Sequence, residues 1–79
     1  MNAIHCYLLG SQDCIEDAEP FNTQGEALRS FRRTAEELAG YGQQHEASIH
    51  YAKTLDDLHE YPDLVLSLGK YGGLKMEKT

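Results

Sequence analysis

The hydrophobic positions along the chain switch between a period of two and a helical period. The longest helical stretch, Thr23 to Gly42, organises the rest. At about 100° per residue, Ala27, Leu28, Phe31, Ala35, Leu38 and Ala39 fall within an arc of roughly 120°. Glu26, Arg29, Arg32, Arg33, Glu36 and Glu37 cover the opposite side. Thr23 and Glu26 have the spacing of a capping box, in which the hydroxyl accepts from the N–H three residues on and the carboxylate reaches back. Gly40 and Gly42 supply residues that adopt the left-handed cap at little cost. The prediction is one amphipathic helix over about 23–40.

Alternation predicts the strands. Ala3 to Leu9 is a strand by its length and content, with Ile4, Cys6 and Leu8 on one side and His5 and Tyr7 on the other. Gly10-Ser11-Gln12-Asp13 is turn chemistry, and Cys14 to Pro20 is an acidic connection with room for a short strand around Ile15. His45 to Lys53 alternates Ala47, Ile49 and Tyr51 against Ser48, His50 and Ala52. Thr54 opens a short helical turn that Leu55 and Leu58 anchor inward and Tyr61-Pro62 stops, because the residue before proline avoids the α region. Asp63 to Gly69 turns Leu64, Leu66 and Leu68 to the core, and Lys70 to Gly73 is a hairpin turn. Leu74 to Glu77 returns with Met76 inside, and the last two residues fray. The expected architecture is a single α+β domain over residues 1–79, ordered β-α-β-(short α)-β-β. It has one mixed or antiparallel sheet of about four strands and one main helix on one face. The other face, around Tyr7, His50 and Val65, is expected to be uncovered and to offer a contact or homodimer surface.

Length and charge narrow the classes. A chain of 79 residues holds one small core, so a partner or self-association is in keeping with its size. No apolar run is long enough to span a bilayer, and the N-terminus lacks the basic-then-apolar pattern of a secretory signal. The expectation is a soluble cytoplasmic protein. Net charge is −6, and it is concentrated. Asp13, Glu16, Asp17 and Glu19 crowd one connection, and Asp56, Asp57, Glu60 and Asp63 crowd another, with no Lys or Arg within either. A field of this sign repels nucleic acid directly and attracts basic surfaces.

Conventional site motifs are thin. Cys6, Cys14, His45 and His50 are zinc-type ligands, but a C-x7-C…H-x4-H spacing is not that of a finger or ribbon. A disulfide across the first turn is unfavoured in a cytosolic chain, which leaves Cys6 as a small buried hydrophobe and Cys14 as a loop thiol. Asp13, Cys14 and a histidine include nucleophile, base and orienter types but in no recognised order. Gly69-Lys70 lacks the earlier glycine of a P-loop, and the acidic runs lack the alternation and central glycine of a calcium loop. The expectation is no enzyme, no metal and no cofactor.

The acidic connections carry the functional expectation. Carboxylates spaced on a rigid scaffold can imitate a phosphate backbone and occupy a Lys/Arg groove. In size, negative charge and lone α/β scaffold the chain resembles the small acidic proteins with which phages and mobile elements block host defence, anti-CRISPR proteins among them. That class shares no motif, so no residue role is carried over. Pro20-Phe21 followed by Gly25-Glu26-Ala27-Leu28-Arg29-Ser30-Phe31 is similar to a stretch in small nonstructural proteins of microviruses. Both likenesses imply a phage-type accessory protein acting in the host cytoplasm. The implied role is an inhibitor of a basic, nucleic-acid-binding protein such as a CRISPR effector subunit.

Overall fold

A computed structural model describes residues 4–38, 45–69 and 73–79. The strands are β1 (His5–Gly10), β2 (Glu19–Phe21), β3 (His45–Ala52), β4 (Leu64–Leu68) and β5 (Leu74–Lys78), and the main helix is α1 (Gln24–Leu38). They form one antiparallel sheet of five strands in the order β2-β1-β3-β4-β5. The expectation of about four strands misses β2, which pairs Cys6 with Phe21, Tyr7 with Pro20 and Leu8 with Glu19. Three residues that include a proline carry almost no alternation, so the pairing is set by β1 and not by local pattern. The short strand expected around Ile15 is instead a 3-10 turn, Ile15–Asp17.

The helix begins as its cap residues dictate. Thr23 Oγ1 accepts from Glu26 N–H at 3.2 Å, while the Glu26 carboxylate accepts from Asn22 N–H at 3.3 Å. The return bond therefore reaches one residue further back than the usual capping box. Ala27, Phe31 and Ala35 are buried, with Leu28 packed beside them, on the stripe the periodicity predicts. Ala39, Gly40 and Gly42, placed at the helix end by the sequence, lie outside the described residues, as do Ala3 and Lys70 to Gly72.

Register decides which strand residues meet the helix. Cys6 stands opposite Tyr51, Leu8 opposite Ile49, and Ile49 opposite Leu64. The helix-side core is therefore Cys6, Ala47, Ile49, Leu64, Leu66 and Leu68 against Ala27, Phe31 and Ala35, with Phe21, Leu8 and Leu74 at its margin. Leu66 and Ile49 are fully buried at its centre. Met76 is half exposed and not inside as its alternation suggests, because β5 is the edge of the sheet, with no strand beyond it among the described residues.

The second face is covered in part. Tyr7, Ala18 and Ala52 form a separate buried cluster against which Leu9 and Leu58 pack. Ala18 follows the 3-10 turn Ile15–Asp17, and Leu58 follows the 3-10 turn Leu55–Asp57. Each turn closes on itself through a backbone bond from its C-cap N–H to the first carbonyl. Leu55 is 39 % exposed, so only Leu58 of the expected pair anchors the second turn. The turn also ends at Asp57, short of the proline stop at Tyr61-Pro62.

Candidate functional site

Register places the two acidic connections. Gly10 pairs with Ala47 and His45 with Leu68, so these residues mark one end of the sheet. His5 pairs with Ala52 at the other end. Asp13, Glu16, Asp17 and Glu19 follow β1 at the first end, whereas Asp56, Asp57 and Glu60 follow β3 at the second. Their two turns fold over the same sheet face, the face away from α1, but they enter it from opposite ends.

The second group is partly committed to structure. The Asp63 carboxylate accepts from Tyr51 N–H at 2.8 Å, and Asp63 N–H donates to the Ile49 carbonyl at 2.8 Å. This residue fastens the start of β4 to β3 where Pro62 has no N–H to offer. Asp57 accepts from the Thr54 hydroxyl at 3.0 Å. The Thr54 hydroxyl is thus engaged by the Asp57 carboxylate and makes no capping bond to the turn backbone. Asp56 and Glu60 are exposed.

The first group surrounds a cleft of about 480 Å³ between the end of β1, the start of β3 and α1. Leu8, Phe31, Ala35 and Ala47 give it an apolar floor. Asp13, Asp17, Glu19 and Glu46 line it with carboxylates, and Ser11, Ser30 and Thr34 with hydroxyls. No Lys or Arg is among the described residues that line it. Asp13 reaches it because the chain turns sharply, its N–H donating to the Gly10 carbonyl at 3.1 Å. A Cβ on Gly10 would come within 2.5 Å of the Asp13 carboxylate, so glycine is what lets that carboxylate fold back over the strand end. His45 also lines the cleft, and its Nε2 is buried without a hydrogen-bond partner among the described residues. Glu46 belongs to this site and was not singled out from sequence. It sits in a strand far along the chain, and only the β1–β3 pairing brings it beside Asp13.

The other proposed constellations come apart. Cys6 faces the helix and is buried, Cys14 is exposed, and both are free thiols. His50 neighbours Tyr51 along β3 and so points to the opposite face from Cys6, which Tyr51 opposes. Among the described residues no three potential ligands are grouped to hold a metal. Burial pushes the Cys6 thiol up from its ordinary range, and a hydrogen bond with Tyr51 offsets this only in part. Such a thiol is a poor nucleophile.

The sheet face expected to be open is also corrected. Tyr7 is 6 % and His50 2 % exposed, with Ala18 and Leu58 in the cluster that buries Tyr7, while Val65 is half-buried. His50 Nε2 is 3.0 Å from Ser48 Oγ, which also lies 3.5 Å from the Leu9 carbonyl, and His50 Nδ1 is buried without a hydrogen-bond partner among the described residues. Among the described residues no helix is long and apolar enough to cross a membrane. Comparison with protein families, with characterised proteins and with solved structures finds no match.

Proposed function

We propose that the chain is a non-enzymatic, acidic binding protein that docks on the basic groove of a nucleic-acid-binding protein and thereby excludes its nucleic acid. The supporting observation is the cleft at the Gly10 end of the sheet. There Asp13, Asp17, Glu19 and Glu46 gather around an apolar floor with no Lys or Arg among the described lining residues. Carboxylates without a cation partner among the described residues are available to Lys and Arg of a partner, and the floor can take the aliphatic stem of such a side chain. Glu16, exposed on the neighbouring 3-10 turn, extends the same negative surface. Asp56, Asp57 and Glu60 supply a second acidic surface at the far end, suited to a partner groove long enough to span both. An inhibitor of a host defence protein, such as a CRISPR effector subunit, is the biological role this chemistry fits. The action is steric and electrostatic: the partner's cations are occupied, so its nucleic acid cannot enter. Association led by charge is fast and weakens as salt rises.

The test is capture of partners from nuclease-treated bacterial lysate by the tagged protein, washed at low and moderate salt. A basic nucleic-acid-binding protein that elutes with salt is the expected result. Its affinity should then fall for the triple reversal D17K/E19K/E46K, and to a smaller extent for D56K/D57K/E60K. A partner held equally by both reversed variants would overturn the reading.

A further inference from the structure

We infer that β5 is the seat of self-association, pairing antiparallel with β5 of a second copy about a two-fold axis through Met76. The two edges of the sheet are unlike. β2 is three residues long and contains Pro20, which has no N–H to donate, so that edge is blunted. β5 is five residues long, contains no proline or bulge, and has no neighbouring strand on its outer side among the described residues.

Its hydrogen-bond parity can be worked out. Gly69 N–H donates to the Gly73 carbonyl at 2.9 Å and Thr79 N–H to the Asp63 carbonyl at 3.5 Å, which brackets the β4–β5 ladder at both ends. Hydrogen-bonded pairs alternate along an antiparallel ladder. Lys75 and Glu77 therefore turn their backbone groups towards β4, and Leu74, Met76 and Lys78 turn theirs to the open edge. A copy placed with Met76 opposite Met76 exchanges both bonds of that residue. It also sets Leu74 opposite Lys78 in the next hydrogen-bonded pair on either side, so every open backbone group of β5 is satisfied.

The same register is complementary in charge. Lys75 of one copy stands opposite Glu77 of the other, and symmetry repeats the pair on the other side of the axis. These are non-hydrogen-bonded positions, where side chains come closest. Shifting the axis to Lys75 or Glu77 would oppose like charges and use backbone groups already bonded to β4. Met76, 49 % exposed, gains its own copy as an apolar neighbour. Lysines on an edge usually discourage pairing; here the self-complementary order Lys75-Met76-Glu77 removes that obstacle for one partner, a second copy of this chain.

The test is sedimentation equilibrium over a wide concentration range on four proteins. Wild type is expected to show a concentration-dependent monomer–dimer equilibrium. E77K opposes lysines on both sides of the axis and should raise the dimer dissociation constant by about tenfold or more. The swap K75E/E77K reverses both charges and should restore wild-type association. M76P removes the central outward N–H without touching the β4 ladder, and should abolish the dimer while circular dichroism keeps the sheet signature. A wild type that is monomeric throughout, an E77K dimer as tight as wild type, or a swap that fails to recover would each overturn the assignment.

Discussion

Truncating Leu66 tests the placement of the core. Leu66 lies on β4 between β3 and β5, faces α1 and is 0 % exposed. Leu66→Ala removes three carbons at about 0.8 kcal/mol each, or about 2.4 kcal/mol of transfer free energy. The cavity left in a strand held on both sides collapses poorly, which takes the total to about 3–4 kcal/mol. A chain of 79 residues at about 0.05–0.15 kcal/mol per residue has about 4–12 kcal/mol in all. The substitution therefore removes a quarter or more of the stability and lowers Tm by about 12–30 °C. Urea unfolding followed by circular dichroism, at a concentration low enough to keep the protein monomeric, reads the change. Leu55→Ala is the control, since Leu55 is 39 % exposed, and it should cost less than about 1 kcal/mol. A Leu66→Ala cost below about 1 kcal/mol, or equal costs at the two leucines, would refute the reasoning that register assigns the core.

Three further outcomes follow from the polar groups. Asp63→Ala should cost about 1–2 kcal/mol in the same assay, because Tyr51 N–H loses its acceptor, whereas Asp56→Ala should be near neutral; equal effects would show that Asp63 is only a surface charge. His50→Leu should be neutral or stabilising within about 1 kcal/mol, since it removes a buried Nδ1 that has no partner among the described residues and leaves the Ser48–Leu9 contact in place. A loss above about 2 kcal/mol would show that the imidazole is a required part of that layer. Alkaline stability should fall as pH rises through the ordinary thiol range. The Cys6 and Tyr51 groups are both pushed up in the folded chain, mainly by burial, so the unfolded chain gives up their protons first. Urea midpoints at pH 7 and pH 10 measure this, and Cys6→Ala should flatten the decline; a decline unchanged in that variant would assign it elsewhere.

The helix and the three longest central segments are legible because each carries its period over enough residues to distinguish one face from the other. Ala27, Phe31 and Ala35 on α1, and Leu64, Leu66 and Leu68 on β4, lie where alternation alone puts them. β2 is not legible, because Glu19-Pro20-Phe21 becomes a strand only by lying beside β1. Alternation also treats an edge strand like a central one, so Met76 reads as core although no strand lies beyond it among the described residues. The acidic cleft was half visible: Asp13, Asp17 and Glu19 stand together in sequence, while Glu46 and His45 join them only through long-range pairing. Burial of Tyr7 and His50 was hidden for a related reason. The cover of Tyr7 comes from Ala18 and Leu58, each of which follows a 3-10 turn too short to announce a packing face.

The strand order also carries a kinetic meaning. Of the pairings in the sheet, β1–β2, β3–β4 and β4–β5 join consecutive strands, and β1–β3 alone joins strands separated by a helix. Hairpins of neighbouring strands form quickly because little chain entropy is lost in closing them. The β1–β3 junction closes a long loop and is productive only once α1 has folded to cover Cys6 and Ile49. The rate of folding should therefore be set where the N-terminal unit of β1, β2 and α1 meets the C-terminal meander. Substitutions at Ile49, on that seam, should slow folding more than equally destabilising ones at Leu68.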